Sequence, residues 1–464
     1  MEVIRLLNER ILWGIPMMIF MLAAGVYLTI KTRGIIFRKL IFIIGSVIKG
    51  FFKKRDTKEG VSPFAAVSAA LAATVGTGNI AGVAVAISLG GPGAVFWMWV
   101  SALFGMVIKY SEVTLAVRYR QRSESGELLG GPMYYIPKAF GGRGAAYLFC
   151  IFAAASSFGI GNAVQANSLA AGLYSSFGTE RWISGIVLSA AVGMVLMGGA
   201  RRIFAAAELL VPFMAIFYFV SAAAVLWVNS DKLLDSVMLI FRCAFSDAAP
   251  IGGFSGAAVM YAARIGVARG LFTNEAGLGS APIAHAAADT DHPSRQGMCG
   301  AFEVFFDTIV MCSVTALVII SSGVWTENLG GDIAAQTAFS RAFDGGGRLV
   351  GIGLALFAFA SVIAWYYYGE RCVEYAFGKG KIPIYRVLYV SACFFGCVAE
   401  SGAVWEISDT LNAFMALPNL AAVVALAPEA ERLTMDFFKK RDTKKMSESE
   451  KYKRSKVYKK YLRQ

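Results

Sequence analysis

Charged residues are scarce in this sequence. Only 16% of its 464 residues are Asp, Glu, Lys or Arg, whereas soluble domains carry about 25%. Hydrophobic residues make up 57%, and the mean hydropathy is +0.58. A chain this apolar is typical of a protein that crosses a membrane several times, and its composition argues against a soluble enzyme.

Residues and motifs that support catalysis are also few. The chain has two histidines, His285 and His292, and both fall at one predicted loop, where they form neither a triad nor a zinc motif. This argues against a membrane-embedded enzyme, and we expect no organic cofactor. A pH-sensing role for these histidines is a minor alternative. The absence of a GxxxxGK[ST] motif argues against an ATP-driven pump.

Cysteine gives no structural framework. The seven cysteines are odd in number and scattered in spacing, which predicts no set of disulfides. Cys393 and Cys397 lie one helical turn apart, but no histidine or second cysteine pair is nearby in the sequence. We interpret them as buried packing thiols rather than as a metal site.

Long apolar runs predict eleven membrane-spanning helices, since a span needs about 20 apolar residues. A further stretch, 35–52, has basic residues within its apolar pattern and is typical of a helix lying along the bilayer surface. Short surface helices are expected in 229–250 and 324–347. The eleven predicted spans are 13–31, 62–88, 93–119, 145–176, 182–199, 204–228, 255–285, 297–323, 348–370, 384–400 and 404–427.

The basic residues predict how the chain is oriented. With the N-terminus outside, 34 of the 44 Lys and Arg residues fall on the inner side, including 13 in 428–464. The positive-inside rule therefore places the C-terminus in the cytoplasm of a cell-membrane protein. We expect no nucleic-acid partner, because long stretches carry no basic residue at all. The basic tail is expected to meet anionic lipid; protein partners are unknown.

Two polar, glycine-rich interruptions lie within apolar spans. They are "AATVGTGNIAG" at 72–82 and "RGLFTNEAGLGSAP" at 269–282, five predicted spans apart. Such matched interruptions are typical of secondary transporters, whose substrate sites lie where helices unwind near the bilayer midplane. The alternative is that the glycines only allow close helix packing. An ion channel is a weaker hypothesis, because one chain with two unlike breaks does not supply a ring of filter residues.

The motifs also carry a family resemblance. "VGTGNIAGVAVAISLGGPGAVFWMW" (75–99) and "GLFTNEAGLGSAPIAHAAA" (270–288) closely resemble the alanine or glycine:cation symporters, also called sodium:alanine symporters, of the amino acid-polyamine-organocation superfamily. The resemblance implies an all-α membrane protein of the LeuT type. Its core would be two inverted repeats of five helices, preceded by one extra N-terminal helix. It also implies import of alanine or glycine with Na⁺; coupling to H⁺, with another small neutral amino acid, is the alternative.

This fold divides the chain into four parts. Residues 1–61 would hold the extra helix and the interfacial helix. The first repeat and an outer loop would occupy 62–254, and the second repeat 255–430. Residues 431–464 would form the basic tail.

On the first broken helix, Gly76, Thr77 and Gly78 would offer backbone N–H groups to the substrate carboxylate. Asn79 both accepts and donates hydrogen bonds, so it would bridge substrate and ion. By resemblance to the cation sites of the fold, the carbonyl groups that bind the cation are those of Ala72, Thr74 and Val75. A polar packing seam is the alternative for this segment.

On the second broken helix, Thr273 or Asn274 would supply an oxygen to the cation, and Phe272 would cover the substrate or pack in the core. Gly270, Asn274 and Gly277 share a face by helical spacing, which assigns Gly277 to the substrate site.

Four further side chains complete the predicted site. Gln165 is favoured as a substrate ligand, with Asn162 and Asn167 as alternatives. By position in the fold, Thr308 would bind the first cation, and the Ala358 carbonyl and Ser361 hydroxyl would complete a second cation site. Trp365 would close the pocket as a gate or would simply pack.

Acidic residues within spans need partners. For Glu275 we expect an arginine such as Arg264 or Arg269, with proton coupling as the alternative. Glu303 and Asp307 are either ion ligands or partners of basic residues. Lys109 and Glu112 are three residues apart and are predicted to pair with each other.

Overall fold

Apolar periodic segments fold into helices throughout this protein. The computed structural model describes residues 8, 12–51, 60–124, 126–245, 255–327, 329–399 and 401–441. Within them the only strands are β1 (Gln121–Arg122) and β2 (Leu128–Leu129), which pair as an antiparallel hairpin. The predicted all-α class is confirmed.

The first part of the chain contains twelve α-helices in the described residues, several of which meet at short irregular turns. A 3₁₀ turn, Thr77–Asn79, joins α4 to α5, and a π-helical turn, Gly159–Ala163, joins α8 to α9. The helices are α1 (Ile15–Lys31), α2 (Ile35–Arg38), α3 (Leu40–Phe51), α4 (Pro63–Thr74), α5 (Ala81–Gly90), α6 (Gly93–Arg118), α7 (Pro132–Phe140), α8 (Gly144–Phe158), α9 (Val164–Phe177), α10 (Arg181–Leu196), α11 (Gly199–Val228) and α12 (Leu233–Phe245).

The second part begins with another interrupted helix. A second π-helical turn, Phe305–Cys312, joins α15 to α16. The helices are α13 (Ser255–Asn274), α14 (Ala281–Ala286), α15 (Pro293–Val304), α16 (Ser313–Ser321), α17 (Gly331–Ala342), α18 (Gly346–Phe377), α19 (Ile382–Val398) and α20 (Ser401–Ala425), followed by a helical stretch at 427–441.

When α8 with α9 and α15 with α16 are each counted as one helix that continues through its π-helical turn, seven described helices are long and apolar enough to cross a membrane. The bent pair α4 and α5 gives an eighth crossing if it counts as one. The remaining three of the eleven predicted spans are shorter or interrupted. Two of them correspond to α1 and α10, which have 17 and 16 residues. The third is divided between α13 and α14. The chain is therefore a multi-pass membrane protein, and the full count of eleven stays a prediction.

Exposed apolar side chains separate peripheral from central helices. Helices α10, α11 and α19 expose large apolar residues along their length, for example Val187, Leu209 and Val387. Helix α6 is almost wholly buried from Gly105 to Val117 and packs against α13 and α15. Lipid would cover the first group, whereas α6 forms the centre against which the second broken helix rests.

The short helices predicted in 35–52, 229–250 and 324–347 are present, but not all of them lie at the surface. The stretch predicted at 35–52 is α2 and α3, and α3 buries Ile43 and Val47 while exposing Ile41. Helix α12 lies in the predicted 229–250 loop. Helix α17 lies in the 324–347 loop but buries Ala338 and Phe339 against its neighbours, so it is a packed element rather than a surface helix.

Ion pairs gather several basic segments at one end of the molecule. Arg118, at the end of α6, pairs with Glu429 at 2.9 Å, and Arg33 lies 3.9 Å from Glu431. Hydrogen bonds from Arg432 and Arg118 lower the pKa of Glu429 to about 2. His292, in the loop before α15, contacts Asp436 at 3.3 Å. The segments that the charge pattern assigns to one side of the membrane thus meet at one face, although which side it is stays a prediction.

Close helix contact at Gly266 gives a first prediction. A Cβ at this position of α13 would lie 2.3 Å from the Ala94 carbonyl oxygen and 2.7 Å from Trp97 Cβ. Gly266→Ala should therefore destabilise the protein by about 1–3 kcal/mol, the usual cost of overpacking. The measurement is the thermal unfolding midpoint in detergent.

The matched control is Gly193→Ala on α10, where the nearest atom to the added Cβ is Val390 Cγ1 at 3.8 Å. This variant should unfold at or slightly above the temperature of the parent protein, because alanine favours helix. Equal midpoints for the two variants would show that α13 does not pack so closely against α6.

Candidate binding site at the two broken helices

The first break interrupts a helix whose middle, from Ala65 to Ala84, is buried. Ser62 caps α4 by accepting a hydrogen bond from the Ala65 N–H at 2.9 Å, and the helix ends at Thr74. The chain resumes helical structure only after the 3₁₀ turn, and the two halves bend by 60°. The predicted interruption of this span is confirmed, and it leaves peptide groups inside the protein without their helical partners.

Asn79 satisfies one side of this break. Its Oδ1 accepts the Gly76 N–H at 3.0 Å, and its Nδ2 donates to the Asp307 carboxylate at 2.7 Å and to the Asp307 carbonyl at 3.2 Å. The same amide lies 3.4 Å from Cys312 Sγ. All four residues are buried, so Asn79 ties the broken backbone to the π-helical turn after α15.

Gln165, on α9, accepts hydrogen bonds from two further donors at the break, the N–H and the hydroxyl of Thr77. Its Oε1 accepts from the Thr77 hydroxyl at 3.1 Å and from the Thr77 N–H at 3.4 Å, while its Nε2 donates to the Ile160 carbonyl. A Cβ on Gly76 would lie 3.1 Å from Gln165 Oε1 and 2.8 Å from Ser361 Oγ. Glycine at 76 therefore lets both polar side chains approach the break closely.

The second break ends α13 at Asn274. Glu275 adopts a left-handed conformation (φ +53°), which is rare outside glycine, and Gly277 and Gly279 follow at φ +87° and +84°. Asn274 Oδ1 accepts the Ala276 N–H at 3.0 Å, and its Nδ2 donates to Thr308 Oγ1 at 3.1 Å. An asparagine thus serves both breaks in the same way, with its oxygen on a freed amide and its nitrogen on the same π-helical turn.

Asp307 and Thr308 connect the two breaks. The Thr308 hydroxyl donates to Asp307 Oδ2 at 2.9 Å, so buried hydrogen bonds run without interruption from Gly76 through Asn79, Asp307 and Thr308 to Asn274. Single π-type turns within α-helices are often found at functional sites, and here the turn aims two adjacent oxygen-bearing side chains at the breaks.

The breaks also touch directly. A Cβ on Gly78 would lie 3.2 Å from Thr273 Cγ2 and 3.7 Å from the Phe272 ring. Thr273 donates its hydroxyl hydrogen bond to the Gly270 carbonyl at 3.0 Å. Phe272 is almost fully buried, and Arg269 lies over its ring at 5.7 Å. The predicted residues 76–79 and 272–274 therefore lie against each other, and their role as one binding site stays a prediction.

The residues predicted on α18 reach the first break. Ser361 Oγ donates to the Ala72 carbonyl at 2.8 Å, which places a hydroxyl on a helix carbonyl just before the break. Ala358 is buried one turn earlier on α18. On the α4 side, Val75 is the C-terminal cap residue, and the Thr74 hydroxyl donates to the Ala70 carbonyl.

Gly277 does not join this site, which corrects the sequence prediction. Because α13 ends at Asn274, the helical spacing that placed Gly277 on the same face no longer applies. A Cβ on Gly277 would meet Met21 at 2.7 Å, and its carbonyl accepts from Asn419 at 2.8 Å. It packs against α1 and α20 instead.

The two alternatives to Gln165 are structural. Asn162 donates to the Tyr389 carbonyl at 2.7 Å, and Asn167 donates to the carbonyls of Gly396 and Ala399. Both tie α8 and α9 to α19, away from the breaks.

Trp365 and Glu275 are partners. The Trp365 indole donates to Glu275 Oε1 at 3.0 Å, and the Ser280 hydroxyl donates to Glu275 Oε2 at 2.5 Å. Glu275 thus has two neutral hydrogen-bond donors, Trp365 and Ser280, in place of the arginine, Arg264 or Arg269, predicted from the sequence. Trp365 also packs on Gly161, where a Cβ would lie 2.4 Å from Trp365 Cβ.

The predicted pairing of Lys109 with Glu112 is wrong. Lys109 Nζ lies 3.4 Å from Glu303 Oε1 on α15, and Glu112 accepts from Asn419 at 2.5 Å. Glu303 and Asp307, four residues apart, therefore differ in role: Glu303 meets basic partners, and Asp307 meets Asn79. His285 was expected in a loop but is fully buried in α14, 3.0 Å from Glu303.

Sequence reasoning missed Asn419. This buried side chain on α20 joins Glu112, the Gly277 carbonyl and the Tyr135 hydroxyl. An asparagine directly after Pro418 in an apolar helix was the available signal, since polar residues in spans rarely lack a partner.

Comparison with known proteins identifies the family. The model of the sodium:alanine symporter family matches residues 1–452. The chain belongs to the sodium:alanine symporter family. The resemblance seen in the broken-helix motifs is thereby confirmed over nearly the whole chain.

Proteins similar to this chain differ in the solute they are named for. Sodium/alanine symporter AgcS of Methanococcus maripaludis is 42% identical over 92% of this chain and 95% of its own. Probable sodium/glutamine symporter GlnT of Bacillus subtilis is 36% identical over 90% of this chain and 86% of its own. A solved manganese transporter from Eremococcus coleocola aligns over 81% of this chain and 76% of its own, with 14% identity and a TM-score of 0.49, too weak a likeness to assign the fold.

The link at Thr308 gives a second prediction. Thr308→Val preserves shape but removes a hydroxyl that accepts from Asn274 and donates to Asp307. Because it leaves two buried polar groups unpaired, we expect a loss of about 1–3 kcal/mol in stability, seen as a lower unfolding midpoint. In the control Thr29→Val, the lost hydroxyl donates only to the Gly25 carbonyl of its own helix, so the midpoint should hardly change. Equal losses would refute a special role for Thr308.

Proposed function

We propose that this protein is a secondary active symporter that imports alanine or glycine together with Na⁺ across the cell membrane. The observation that supports this most is the continuous buried hydrogen-bond path between the two helix breaks, in a chain that belongs to the sodium:alanine symporter family. Irregular backbone inside a membrane protein is tolerated where it lines a site, and matched breaks are typical of transporter sites.

The first break supplies donors for a carboxylate. The neutral oxygen of Gln165 accepts hydrogen bonds from both the N–H and the hydroxyl of Thr77. A substrate carboxylate would bind these donors more strongly, because charge-assisted hydrogen bonds are about twice as strong as neutral ones. Gln165 would then be free to bind the substrate itself, and the Gly76 and Gly78 amides would complete the carboxylate cradle.

The confined space favours a small side chain. Gly78 lies against Thr273 and Phe272, and Gly76 lies against Ser361 and Gln165, so little room remains between the breaks. Alanine and glycine are the amino acids that such a space accepts most readily. The broader solute range named among family members makes this a prediction for this chain and not a family property.

Oxygen atoms suited to Na⁺ are grouped in two places. The first set is the Asp307 carboxylate and the Thr308 hydroxyl, with the Thr273 hydroxyl 3.5 Å from that of Thr308. Asn79 and Asn274 donate to this set through their amide nitrogens, and each would bind the ion by turning its amide oxygen toward it. The second is the Ala72 carbonyl with Ser361, to which the Val75, Thr74 and Ala358 carbonyls would add. Hard cations bind carboxylate, carbonyl and hydroxyl oxygens. A cation at the first set would share Asn79 and Asn274 with the substrate side, which provides a physical means of coupling.

We infer a LeuT-type core of two inverted five-helix repeats, 62–254 and 255–430, with α1 outside the repeats. The support is that each repeat would begin with a broken helix, and that the asparagines of both breaks donate to adjacent residues of one turn. Alternating access would then move the half-helices around a fixed site, with Trp365 controlling one end. The N-terminus would lie outside and the C-terminus in the cytoplasm.

Uptake by reconstituted vesicles tests the function. Vesicles containing the protein should accumulate radiolabelled alanine and glycine when an inward Na⁺ gradient is imposed. Glutamine should compete poorly. Uptake driven equally by a pH gradient without Na⁺ would replace Na⁺ with H⁺ as the coupling ion, and uptake indifferent to both gradients would contradict symport.

Asn79→Ala and Asn274→Ala should each reduce Na⁺-driven uptake by at least about tenfold. Each substitution removes the side-chain oxygen that accepts a backbone N–H freed by the break. It also removes a hydrogen bond to the shared turn, and leaving such buried groups unpaired costs about 1–3 kcal/mol. The control is Asn229→Ala at the end of α11, whose amide donates only to the nearby Val225 carbonyl. Normal uptake by both site variants, inserted at parental levels, would remove the asparagines from the site.

A further inference from the structure

The two broken helices are joined a second time, at a distance from the breaks. Val61 lies just before α4, and residues 287–289 directly follow α14. The Val61 N–H donates to the Ala287 carbonyl at 3.0 Å, and the Asp289 N–H donates to the Val61 carbonyl at 2.8 Å. Val61 and Ala288 thus pair as a short parallel bridge, the 61–288 bridge. The half-helices α4 and α14 also pack along each other, so a path between them from the breaks to this end of the molecule passes the bridge.

Arg120, in the turn between α6 and β1, holds the α14 side of this bridge. Its Nη1 donates to the Ala288 carbonyl at 2.6 Å and to the Ala286 carbonyl at 3.2 Å. Carbonyl groups at the end of a helix lack helical partners and carry partial negative charge, which suits a guanidinium donor. These are not the carbonyl groups that accept from the two bridge amides, so Arg120 supports the bridge without replacing it.

The hairpin of β1 and β2 lies against the same end of α14. A Cβ on Gly130, just after β2, would lie 2.5 Å from Ala286 Cβ. Glu127, at the turn of the hairpin, pairs with Arg371 of α18 at 3.2 Å. The hairpin thus links α14 to the helix on which Ser361 is predicted to bind a cation. About half of the Glu127 side chain is exposed, and ion pairs with an exposed partner are weak, so this link can open.

A cavity of about 620 Å³ borders the bridge. Val61 and Ala287 form one part of its wall, Leu128 of the hairpin a second, and Tyr367 and Arg371 of α18 a third. The cavity has room for a small amino acid, and it begins where the bridge ends. Separation of α4 from α14 would therefore connect the cavity with the breaks.

We propose that Arg120 and the hairpin form a latch that keeps the 61–288 bridge closed, and that release of this latch opens the substrate site toward the cavity. Arg120 is then a positioning residue, since it acts through carbonyl groups of α14 and not on the substrate. The latch consists of a few hydrogen bonds and one half-exposed ion pair, so it can release while the buried contacts of the breaks persist. Its role in transport rests on the proposed function, whereas closure of the bridge by Arg120 does not.

Hydrogen exchange tests the latch without any transport. The amides of Val61 and Asp289 exchange when the bridge opens, because both donate across it. Arg120→Ala should raise exchange in both segments severalfold, since the end of α14 loses its donor. The control Lys138→Ala, at an exposed position near the end of α7, should exchange as the parent protein does. Unchanged exchange in Arg120→Ala overturns the proposal.

The second measurement is Na⁺-driven alanine uptake from the face opposite the cavity. A protein that stays open toward the cavity binds alanine from that face less well, because apparent affinity falls with the fraction of molecules in the competent state. Arg120→Ala should therefore raise the KM for alanine and for Na⁺ at least about threefold with little loss of maximal rate. Arg120→Lys, which keeps a donor, should recover part of the affinity. A lower maximal rate with parental KM values would refute the link between latch and transport.

A cross-link tests whether the bridge opens during transport. Val61→Cys combined with Ala288→Cys places two thiols across the bridge, where neighbouring strands lie about 5 Å apart, a separation that a disulfide can span. Oxidation with copper phenanthroline should abolish uptake, and a thiol reductant should restore it. The matched control, Gln121→Cys combined with Leu129→Cys, cross-links a pair within the hairpin and should leave uptake intact. The native cysteines are buried and should not interfere.

The outcomes separate the latch from the proposed function. No alanine uptake by the parent protein, together with exchange that responds to Arg120→Ala, refutes the proposed function and leaves the latch. Uptake that continues after the Val61–Ala288 cross-link has formed contradicts opening of the bridge. Should Arg120→Ala fail to fold, the double-cysteine protein decides alone.

Discussion

Backbone peptide groups that leave a helix inside a membrane must find partners within the protein, and this constraint shapes the centre of the molecule. At each break an asparagine oxygen accepts a freed N–H, and the asparagine nitrogen reaches the turn that holds Asp307 and Thr308. Glycine at 76 is needed because a Cβ there would lie 2.8 Å from Ser361 Oγ and 3.1 Å from Gln165 Oε1. The breaks are therefore built features rather than defects.

Backbone groups that hydrogen-bond to side chains, unlike those paired within a helix, can exchange these partners for a ligand. The contact of the Gln165 oxygen with Thr77 and that of the Ser361 hydroxyl with the Ala72 carbonyl are neutral hydrogen bonds. Under the proposed function, an anion would replace the first contact and a cation the second, each with a stronger interaction. Membership of the sodium:alanine symporter family fits this chemistry, since an amino-acid zwitterion and a cation need complementary donors and acceptors side by side.

The features readable from the sequence were those that depend on local spacing. The apolar runs, the two interruptions and Asn79 within the first of them follow from composition and helical period, whereas Thr308 was predicted from the family resemblance. The errors arose where partners are distant in sequence. Lys109 was predicted to pair with Glu112 on the same helix, although the carboxylate that it contacts belongs to Glu303 on α15. Gly277 was placed by a helical spacing, although the helix ends at Asn274.

The buried position of His285 could not be predicted for a related reason. A histidine soon after a glycine-rich break looks like part of a loop, and only the short helix α14 returns it to the interior beside Glu303. The same is true of Asn419, whose three partners lie on different elements. Long-range polar contacts leave no periodic signal, so they require the three-dimensional structure.

A structure determined with alanine and Na⁺ bound is the most direct test of how the two breaks act together. It should show the amino acid between residues 76–79 and 272–274, with its carboxylate on Thr77 in place of Gln165 and a cation at the oxygens around Thr308. Ligand density elsewhere, with the Asn79 and Asn274 contacts unchanged and no space between the breaks, would contradict a shared site for substrate and ion.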